Sequence, residues 1–118
     1  MRINLKIYLG ETPILYCMLG DANDDPANYQ KAIELSGGRS ARAFRSLGTY
    51  YFHRKNYEKA VEYLGKSLEL NSFHLKTLLR HGFAAMEIKA WDIAANSYRN
   101  YCSYETDVSI LLTKLLEI

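Results

Sequence analysis

Two stretches of this 118-residue chain carry the same pattern of small and aromatic residues at a constant offset of 34 positions. The residues that correspond across the offset are Gly48 and Gly82, Tyr57 and Trp91, Ala60 and Ala94, and Leu64 and Tyr98. In each copy, apolar and small residues recur at the spacing of an amphipathic helix, and a short polar break separates two helical runs. A period of 34 residues is typical of a helix–turn–helix unit, which buries its apolar faces by stacking on its neighbours. The sequence therefore predicts an all-α solenoid of antiparallel helix hairpins.

The order of residues inside each copy resembles the tetratricopeptide repeat signature. The two copies read Phe44-x2-Leu47-Gly48-x2-Tyr51 with Ala60-x3-Leu64, and Leu78-x2-His81-Gly82-x2-Ala85 with Ala94-x3-Tyr98. Neither copy keeps the proline with which the family's repeat ends, because Ser72 and Thr106 stand there. The resemblance implies a right-handed α–α superhelix.

A shorter, degenerate copy precedes these two. It reads Tyr16-x2-Leu19-Gly20 followed by Tyr29-x2-Ala32. Gly20 lies 28 positions before Gly48 rather than 34, so we expect the second helix of this copy to end early, near Leu35, where Gly37 and Gly38 follow. The predicted organisation is a remnant of a preceding helix in 1–12, a short hairpin in 13–40, hairpins in 41–74 and 75–106, and an apolar helix in 107–118.

Capping residues and breakers set the expected helix bounds. Pro13 suits a first helical turn, and Ser40 and Asn56 suit N-caps. The expected helices are Pro13 to about Leu19, one that ends near Leu35, one from Ser40 to about Arg54, Tyr57–Leu70, Phe73–Ile88 and Ala90–Tyr104. Met1–Leu9 alternates like a strand, but we interpret it as the end of a helix because a lone strand would have no partner. Gly65 inside a helix costs about 1 kcal/mol relative to alanine, and the sequence offers no reason for it.

The C-terminal segment is strongly apolar for the end of a solenoid, which needs a polar outer face. Its apolar residues at helical spacing are Val108, Leu111, Leu112, Leu115 and Leu116. Two interpretations follow: the chain is truncated, or this helix folds back as a plug on the helix Ala90–Tyr104. Self-association through residues 108–118 is a further prediction, because an uncovered apolar strip associates.

The composition narrows the class of protein. A net charge of +2 and a charged fraction of 24% give no bias toward nucleic acid or membrane, and we expect neither as a partner. The 34-residue period also argues against RNA binding by helical repeats. Cys17 and Cys102 are far apart and outside any CxxC motif, which predicts reduced thiols and a cytoplasmic location, or a nuclear one as well.

Catalytic and metal-binding patterns are missing from the sequence. His53, His74 and His81 have no partners at metal or triad spacing, and a structural role is the simpler interpretation of each. Gly37-Gly38 follows a helix and is too short for a phosphate loop. We therefore expect no catalytic residues, no metal site, no cofactor and no enzyme activity.

Several longer stretches resemble one group within this superfamily, the tetratricopeptide repeat protein 27 family. They are Leu15–Asp21, Tyr29–Ala32, Leu35-Ser36, Arg39–Gly48, Tyr50–Phe52 and Lys66–Asn71, within residues 9–107. The sequence departs from that family at Leu78–Met86. The resemblance implies a non-enzymatic helical-repeat protein of much greater length, connected with the assembly of spliceosomal particles and, in yeast, with cell-wall maintenance.

The resemblance also implies a binding groove, because the first helix of each repeat lines the concave face. The residues at groove positions are Arg42, Arg45, Ser46, Thr49, Phe52, His53, Lys76, Leu79, Arg80, Phe83, Met86 and Glu87. Arg42, Arg45, Lys76 and Arg80 suit a carboxylate, whereas the aromatic residues and methionine suit an apolar anchor. We predict a groove, formed by Arg42, Arg45, Thr49, Phe52, His53, Lys76, Arg80, Phe83 and Met86, that binds an acidic or C-terminal segment of a protein. The alternative is that these charges are solvated surface.

Two other functional interpretations stay open. One is that the chain is a truncated product without independent binding activity, since three repeats are about the minimum for a stable array. The other, weaker one is an adaptor for the C-terminal peptides of chaperones, because Lys76 and Arg80 match the Lys-x3-Arg of a two-carboxylate clamp. Cys17, Asp21 and Ser46 replace the other clamp residues, so the clamp is incomplete.

Overall fold

The computed structural model of the chain describes residues 10–117, except the side chains of Val108 and Leu111. The described residues form six α-helices and no strand, which confirms the all-α prediction. The helices are α1 Pro13–Asn23, α2 Pro26–Leu35, α3 Ala41–His53, α4 Tyr57–Leu70, α5 Leu75–Glu87 and α6 Trp91–Leu116. The helical interpretation of Met1–Leu9 lies outside the described residues.

The two polar N-caps act as the sequence predicts. Ser40 Oγ accepts a hydrogen bond from the backbone N–H of Ala43 at 3.1 Å, and Asn56 Oδ1 accepts one from Lys59 at 3.4 Å. These bonds satisfy donors that the first turn of a helix leaves without a partner. The start of α5 differs from the expectation, because His74 is its N-cap and the helix begins at Leu75 rather than Phe73.

The helix α1 also extends beyond its expected end. It continues through Gly20 to Asn23, since Gly20 is buried under the Tyr29 ring instead of forming a left-handed stop. The left-handed residue is Asp24, with a φ of 51°.

The same turn closes all three hairpins. Asp24, Lys55 and Lys89 adopt left-handed backbone conformations with φ of 51°, 60° and 61°. The residue after each left-handed residue donates its N–H to a carbonyl five positions earlier, as Asn56 does to Tyr51 at 2.9 Å and Ala90 does to Ala85 at 2.8 Å. These bonds satisfy carbonyls at the helix ends, which is how left-handed C-terminal turns stabilise a helix. A lysine is an unusual occupant, because a left-handed conformation costs a residue with a Cβ about 1–2 kcal/mol.

The six helices form two layers. Each helix contacts the next one along the chain, and in addition α1 contacts α3 and α3 contacts α5. Among the described helices, α2, α4 and α6 do not approach one another as closely, although Gln30 of α2 donates a hydrogen bond to the Tyr63 hydroxyl of α4 at 3.3 Å. Because the first helices of the hairpins lie closer together than the second helices, the stack curves toward α1, α3 and α5. Those three helices form the concave side.

A glycine on each first helix is contacted closely by a side chain of the second helix. A Cβ built on Gly48 would lie 2.7 Å from Leu64 Cγ and 2.9 Å from the Leu64 backbone nitrogen. Gly82 faces the Tyr98 ring in the same way, and Gly20 faces Tyr29. Ala60 and Ala94, the small residues that the 34-residue offset relates, are buried, with 0% and 3% exposure. The side chains that contact Gly48 and Gly82 are, however, Leu64 and Tyr98, which lie one helical turn after these alanines.

The helical glycine that the sequence left unexplained, Gly65, makes room for His81. A Cβ on Gly65 would lie 3.3 Å from His81 Nε2. The imidazole bridges the seam between two hairpins, because Nδ1 hydrogen-bonds to Ser97 Oγ at 2.6 Å and the ring also bonds to the Val61 backbone. Burial is the main cause that lowers the pKa of His81. The histidine at this position is therefore a structural residue, and its neutral form fits the site.

The expectation of a separate C-terminal helix that folds back is wrong. The helix α6 runs without interruption from Trp91 to Leu116, so residues after 106 extend the second helix of the last hairpin instead of covering it. Beyond Tyr104, whose ring lies 4.9 Å from that of Phe73, this extension protrudes past the start of α5. The side chains of Leu112, Leu115 and Leu116 are 54%, 56% and 87% exposed. Val108 and Leu111, which belong to the same predicted strip, lie outside the described side chains.

Candidate functional site

A cavity of about 260 Å³ opens on the concave side between the first helices of the three hairpins. The residues that line it are Asp21, Asp24, Tyr29, Arg45, Ser46, Thr49, Tyr50, His53, His74 and Arg80. Four of the residues predicted for the groove, Arg45, Thr49, His53 and Arg80, therefore come together here. They come from α3 and α5, the first helices of two successive hairpins, which lie side by side in the same layer.

Arg45 is the most unusual residue of this cavity. Its side chain is partly buried, and it makes no hydrogen bond or ion pair with any described residue. Burial lowers the pKa of its guanidinium, and the neighbouring charge of Arg42 lowers it further. A partly buried cation without a carboxylate partner loses hydration and gains little in return, which is typical of a site that receives an anion.

Arg80 reaches the same cavity from the next hairpin. Its Nη1 donates to Thr49 Oγ1 at 3.4 Å, which holds the side chain across the interface between α3 and α5. No carboxylate of the described chain forms an ion pair with it. The two arginines therefore approach one space from two different helices, and their remaining donors are free to bind.

His74 also lines this cavity, although the sequence pattern predicted only a structural role for it. Its Nδ1 accepts a hydrogen bond from the backbone N–H of Thr77 at 3.3 Å, and Thr77 Oγ1 lies 2.8 Å from the same nitrogen. Since Nδ1 is an acceptor for the backbone, the neutral ring carries its proton on Nε2. Burial lowers the pKa of this histidine, and the charges of Arg45, Arg80 and Lys76 lower it further. Of these cations, Arg45 lies on another helix and comes near the ring only in the tertiary structure.

The two carboxylates that line the cavity, Asp21 and Asp24, are each paired with other residues of the chain. Asp21 accepts a hydrogen bond from the Tyr29 hydroxyl at 2.6 Å and forms an ion pair with Arg42 at 3.4 Å. Burial, followed by this bond to Asp21, raises the pKa of Tyr29, so the hydroxyl stays a donor. Asp24 pairs with Arg54 at 2.7 Å. Both ion pairs tie the first hairpin to the second.

The basic residues predicted for the groove, Arg42, Arg45, Lys76 and Arg80, lie in different surroundings. Arg45 and Arg80 line the cavity, whereas Arg42 is engaged with Asp21 at its rim. Lys76 is exposed and does not line the cavity, but its charge acts on the His74 ring. The four basic residues thus have different surroundings, and Asp21 forms an ion pair with one of them, Arg42.

The apolar residues of the predicted groove form a neighbouring cluster. The rings of Phe52 and Phe83 lie 5.7 Å apart, and the ring of Tyr57 lies 5.9 Å from that of Phe83. His53 joins this cluster to the cavity, because its ring is 5.8 Å from Phe52 and it also lines the cavity. Met86, the remaining apolar residue of the predicted groove, is 45% exposed.

The remaining carboxylate-clamp positions supply no cation. Cys17 is buried in a cluster with Ala32 and Ala43, and burial is the main cause that raises the pKa of its thiol. Asp21 brings a negative charge to the same end. Neither residue can hold a peptide carboxylate, so the structure leaves this clamp incomplete.

The described residues contain neither a metal-binding cluster nor a helix that could cross a membrane. Within residues 10–117, no group of three or more His, Cys, Asp or Glu side chains is arranged to hold a metal ion. In the same part of the chain, no helix is both long and apolar enough to cross a membrane.

Similarity to known proteins places this architecture in a family. No family model matches the chain. It is 35% identical over 85 residues, 72% of its length, to a TPR repeat-containing protein of Schizosaccharomyces pombe. It is 35% identical over 94 residues, 80% of its length, to tetratricopeptide repeat-containing protein trd-1 of Caenorhabditis elegans. It is 34% identical over 84 residues, 71% of its length, to a tetratricopeptide repeat protein 27 homolog of Dictyostelium discoideum.

These matches cover 10%, 12% and 10% of the three relatives, so the chain spans about a tenth of their length. Their names agree with the 34-residue period and with the two-layered stack of helix hairpins. The chain therefore belongs to the tetratricopeptide repeat family, a class of helical-repeat proteins that serve protein interaction.

Proposed function

We propose that this chain is a non-enzymatic interaction scaffold whose concave groove binds an acidic or C-terminal segment of a partner protein. The observation that carries the proposal is the pair formed by Arg45 and Arg80. They line one cavity from two helices, and within the described residues neither has a carboxylate partner. Arginine binds carboxylate groups through two parallel hydrogen bonds, so an acidic group of a partner would replace the hydration that these side chains lack.

The neighbouring aromatic cluster supports binding of a segment rather than of a single ion. Phe83 is 43% exposed at its surface, and Phe52 lies beside it. An extended chain with an acidic residue in the cavity would place an apolar side chain a few residues away on this cluster, since each residue spans about 3.3 Å. Such a mixed polar and apolar lining is typical of sites that bind peptides. The family resemblance points to assembly of a larger complex, with spliceosomal particle biogenesis as the proposed setting.

The test is a charge reversal of the two cavity arginines. The variant with Arg45→Glu and Arg80→Glu should lose the partners that the wild-type chain captures in affinity purification. Each charge-assisted hydrogen bond lost from a desolvated site should weaken binding by about 1.5–3 kcal/mol, and the new carboxylates should repel an acidic segment in addition.

A matched control changes the same charge away from the groove. Lys31 and Arg99 are exposed residues of α2 and α6, on the layer opposite the cavity. The variant with Lys31→Glu and Arg99→Glu should keep the captured partners. Both double variants should keep the helicity and melting temperature of the wild type. Equal capture by the groove variant and the wild type would show that the partners bind elsewhere.

A further inference from the structure

We propose that the cavity between Arg45 and Arg80 receives a phosphoryl group carried by a serine or threonine of the bound segment. This inference rests on the proposed function, because it names the acidic group that the groove binds. The ligand is therefore a phosphopeptide, and the group that enters the cavity is a phosphate monoester.

The first argument is charge. Arg45 projects from α3 and Arg80 from α5, and within the described residues neither forms an ion pair. Two arginine cations in one cavity require about two negative charges to neutralise them. A phosphorylated side chain carries roughly −1.5 to −2 at pH 7, whereas a carboxylate carries one charge.

The second argument is the number and direction of hydrogen-bond donors. Besides the guanidinium groups, the cavity contains the hydroxyl groups of Ser46 and Thr49 and the ring of His74. Thr49 Oγ1 accepts a bond from Arg80, so its own proton is available to a ligand. Ser46 makes no hydrogen bond with a described residue, and the neutral His74 ring carries its proton on Nε2. Donors on several walls suit the three terminal oxygens of a tetrahedral phosphoryl group better than the two coplanar oxygens of a carboxylate.

The third argument concerns the acidic residues at the other end of the cavity. Asp21 and Asp24 also line it, and unpaired carboxylates there would repel any anion. Each is instead compensated, Asp21 by Tyr29 and Arg42 and Asp24 by Arg54. These pairs engage the nearby acidic groups and leave Arg45 and Arg80 without a counter-ion among the residues that the structure describes.

The experiment compares two small probes on the full chain. N-acetyl-phosphoserine methylamide and N-acetyl-aspartate methylamide are titrated at neutral pH and constant ionic strength, and nuclear magnetic resonance follows the side-chain N–H signals of Arg45 and Arg80. We expect saturable shifts with the phosphoserine probe and an affinity at least about tenfold lower for the aspartate probe. Arg45→Gln and Arg80→Gln should each weaken binding of the phosphoserine probe by about tenfold or more, because each removes a charged donor. The matched control Arg99→Gln removes an exposed arginine of α6 and should leave the affinity unchanged.

Each outcome decides between the two proposals. Equal affinity for both probes would overturn the phosphoryl assignment and leave the acidic-segment groove intact. An equal loss of affinity in Arg45→Gln and Arg99→Gln would also overturn it, because binding would then reflect net charge alone. If neither probe shifts the arginine signals, the phosphoryl site is rejected, whereas the groove itself is still judged by partner capture with the Arg45→Glu and Arg80→Glu variant. Thermal melts of the glutamine variants separate loss of binding from loss of the fold.

Discussion

The close contact between Gly48 of α3 and the backbone of α4 gives the sharpest test of the fold. In the substitution Gly48→Ala, the new methyl group would lie 2.7 Å from both Leu64 Cγ and Leu64 Cδ2. It would also lie 2.9 Å from the backbone nitrogen of Leu64. A flexible side chain could turn away from such a contact, but a backbone atom of α4 moves only if the helix moves. Leu64 itself is fully buried, so its side chain has no free space to enter.

Two opposing terms set the magnitude. Replacing glycine by alanine inside a helix stabilises it by about 1 kcal/mol. Forcing a methyl group into a packed interface destabilises by typically about 1–3 kcal/mol, and the backbone contact places this site near the upper end. The free energy of unfolding should therefore fall by about 2 kcal/mol. For a chain of this length, that change lowers the melting temperature by roughly 6–10 °C.

Gly65→Ala is the matched control for this prediction, because both glycines lie inside a helix. At Gly65 the new methyl group would meet only the tip of the His81 ring, with Nε2 at 3.3 Å and Cε1 at 4.0 Å. The gain in helix propensity should nearly offset that contact, so the change should stay within about 1 kcal/mol of zero. Urea unfolding followed by circular dichroism measures both variants. If Gly48→Ala is as stable as Gly65→Ala, the assigned packing of α3 on α4 is wrong.

Three further predictions use the turns, the interhelical seam and the apolar end. Lys55→Gly should raise the free energy of unfolding by roughly 0.5–1 kcal/mol, because glycine adopts the left-handed conformation of this turn without strain. Lys89→Gly should have the same effect. A lower melting temperature of either variant would contradict this prediction. The pKa of His81 is lowered in the folded state. As the pH falls below about 6.5, the ordinary pKa of histidine, the unfolded chain therefore binds more protons at this residue than the folded chain does. The free energy of unfolding should consequently fall as the pH drops from 7.5 to 5.5. His81→Asn should reduce this slope, and an unchanged slope would assign it to other groups. Leu112 and Leu115 are more than half exposed, so the chain should self-associate as its concentration rises. The double variant with Leu112→Ser and Leu115→Ser should be monomeric in sedimentation velocity. A wild-type chain that is monomeric at every concentration would refute this.

Local sequence determined most of the helices. The caps at Ser40 and Asn56, the proline at the start of α1 and the double glycine after α2 all act through bonds or backbone conformations within a few residues. The 34-residue offset also placed the buried glycines and alanines, because a repeat imposes the same contacts on the same positions. These features depend on neighbours in the chain, and a linear pattern can predict them.

The C-terminal helix shows where such a pattern fails. The apolar spacing after residue 106 predicted a helix correctly, but it could not say whether a turn would separate that helix from α6. No glycine, proline or left-handed residue interrupts the segment, so the helix continues. Whether an apolar strip is covered depends on what lies opposite it in space, which periodicity does not contain.

The candidate site divides in the same way. The resemblance to the tetratricopeptide repeat implied which helices face the groove, and the repeat positions placed Arg45, Thr49, His53 and Arg80 on them. It could not determine that Asp21 would pair with Arg42, nor that His74 would stand among three cations while capping α5. Those facts depend on how closely successive hairpins stack and on the angle between them. Only the tertiary structure decided which positive charges have a counter-ion among the described residues and which do not, because charges distant in sequence interact through space.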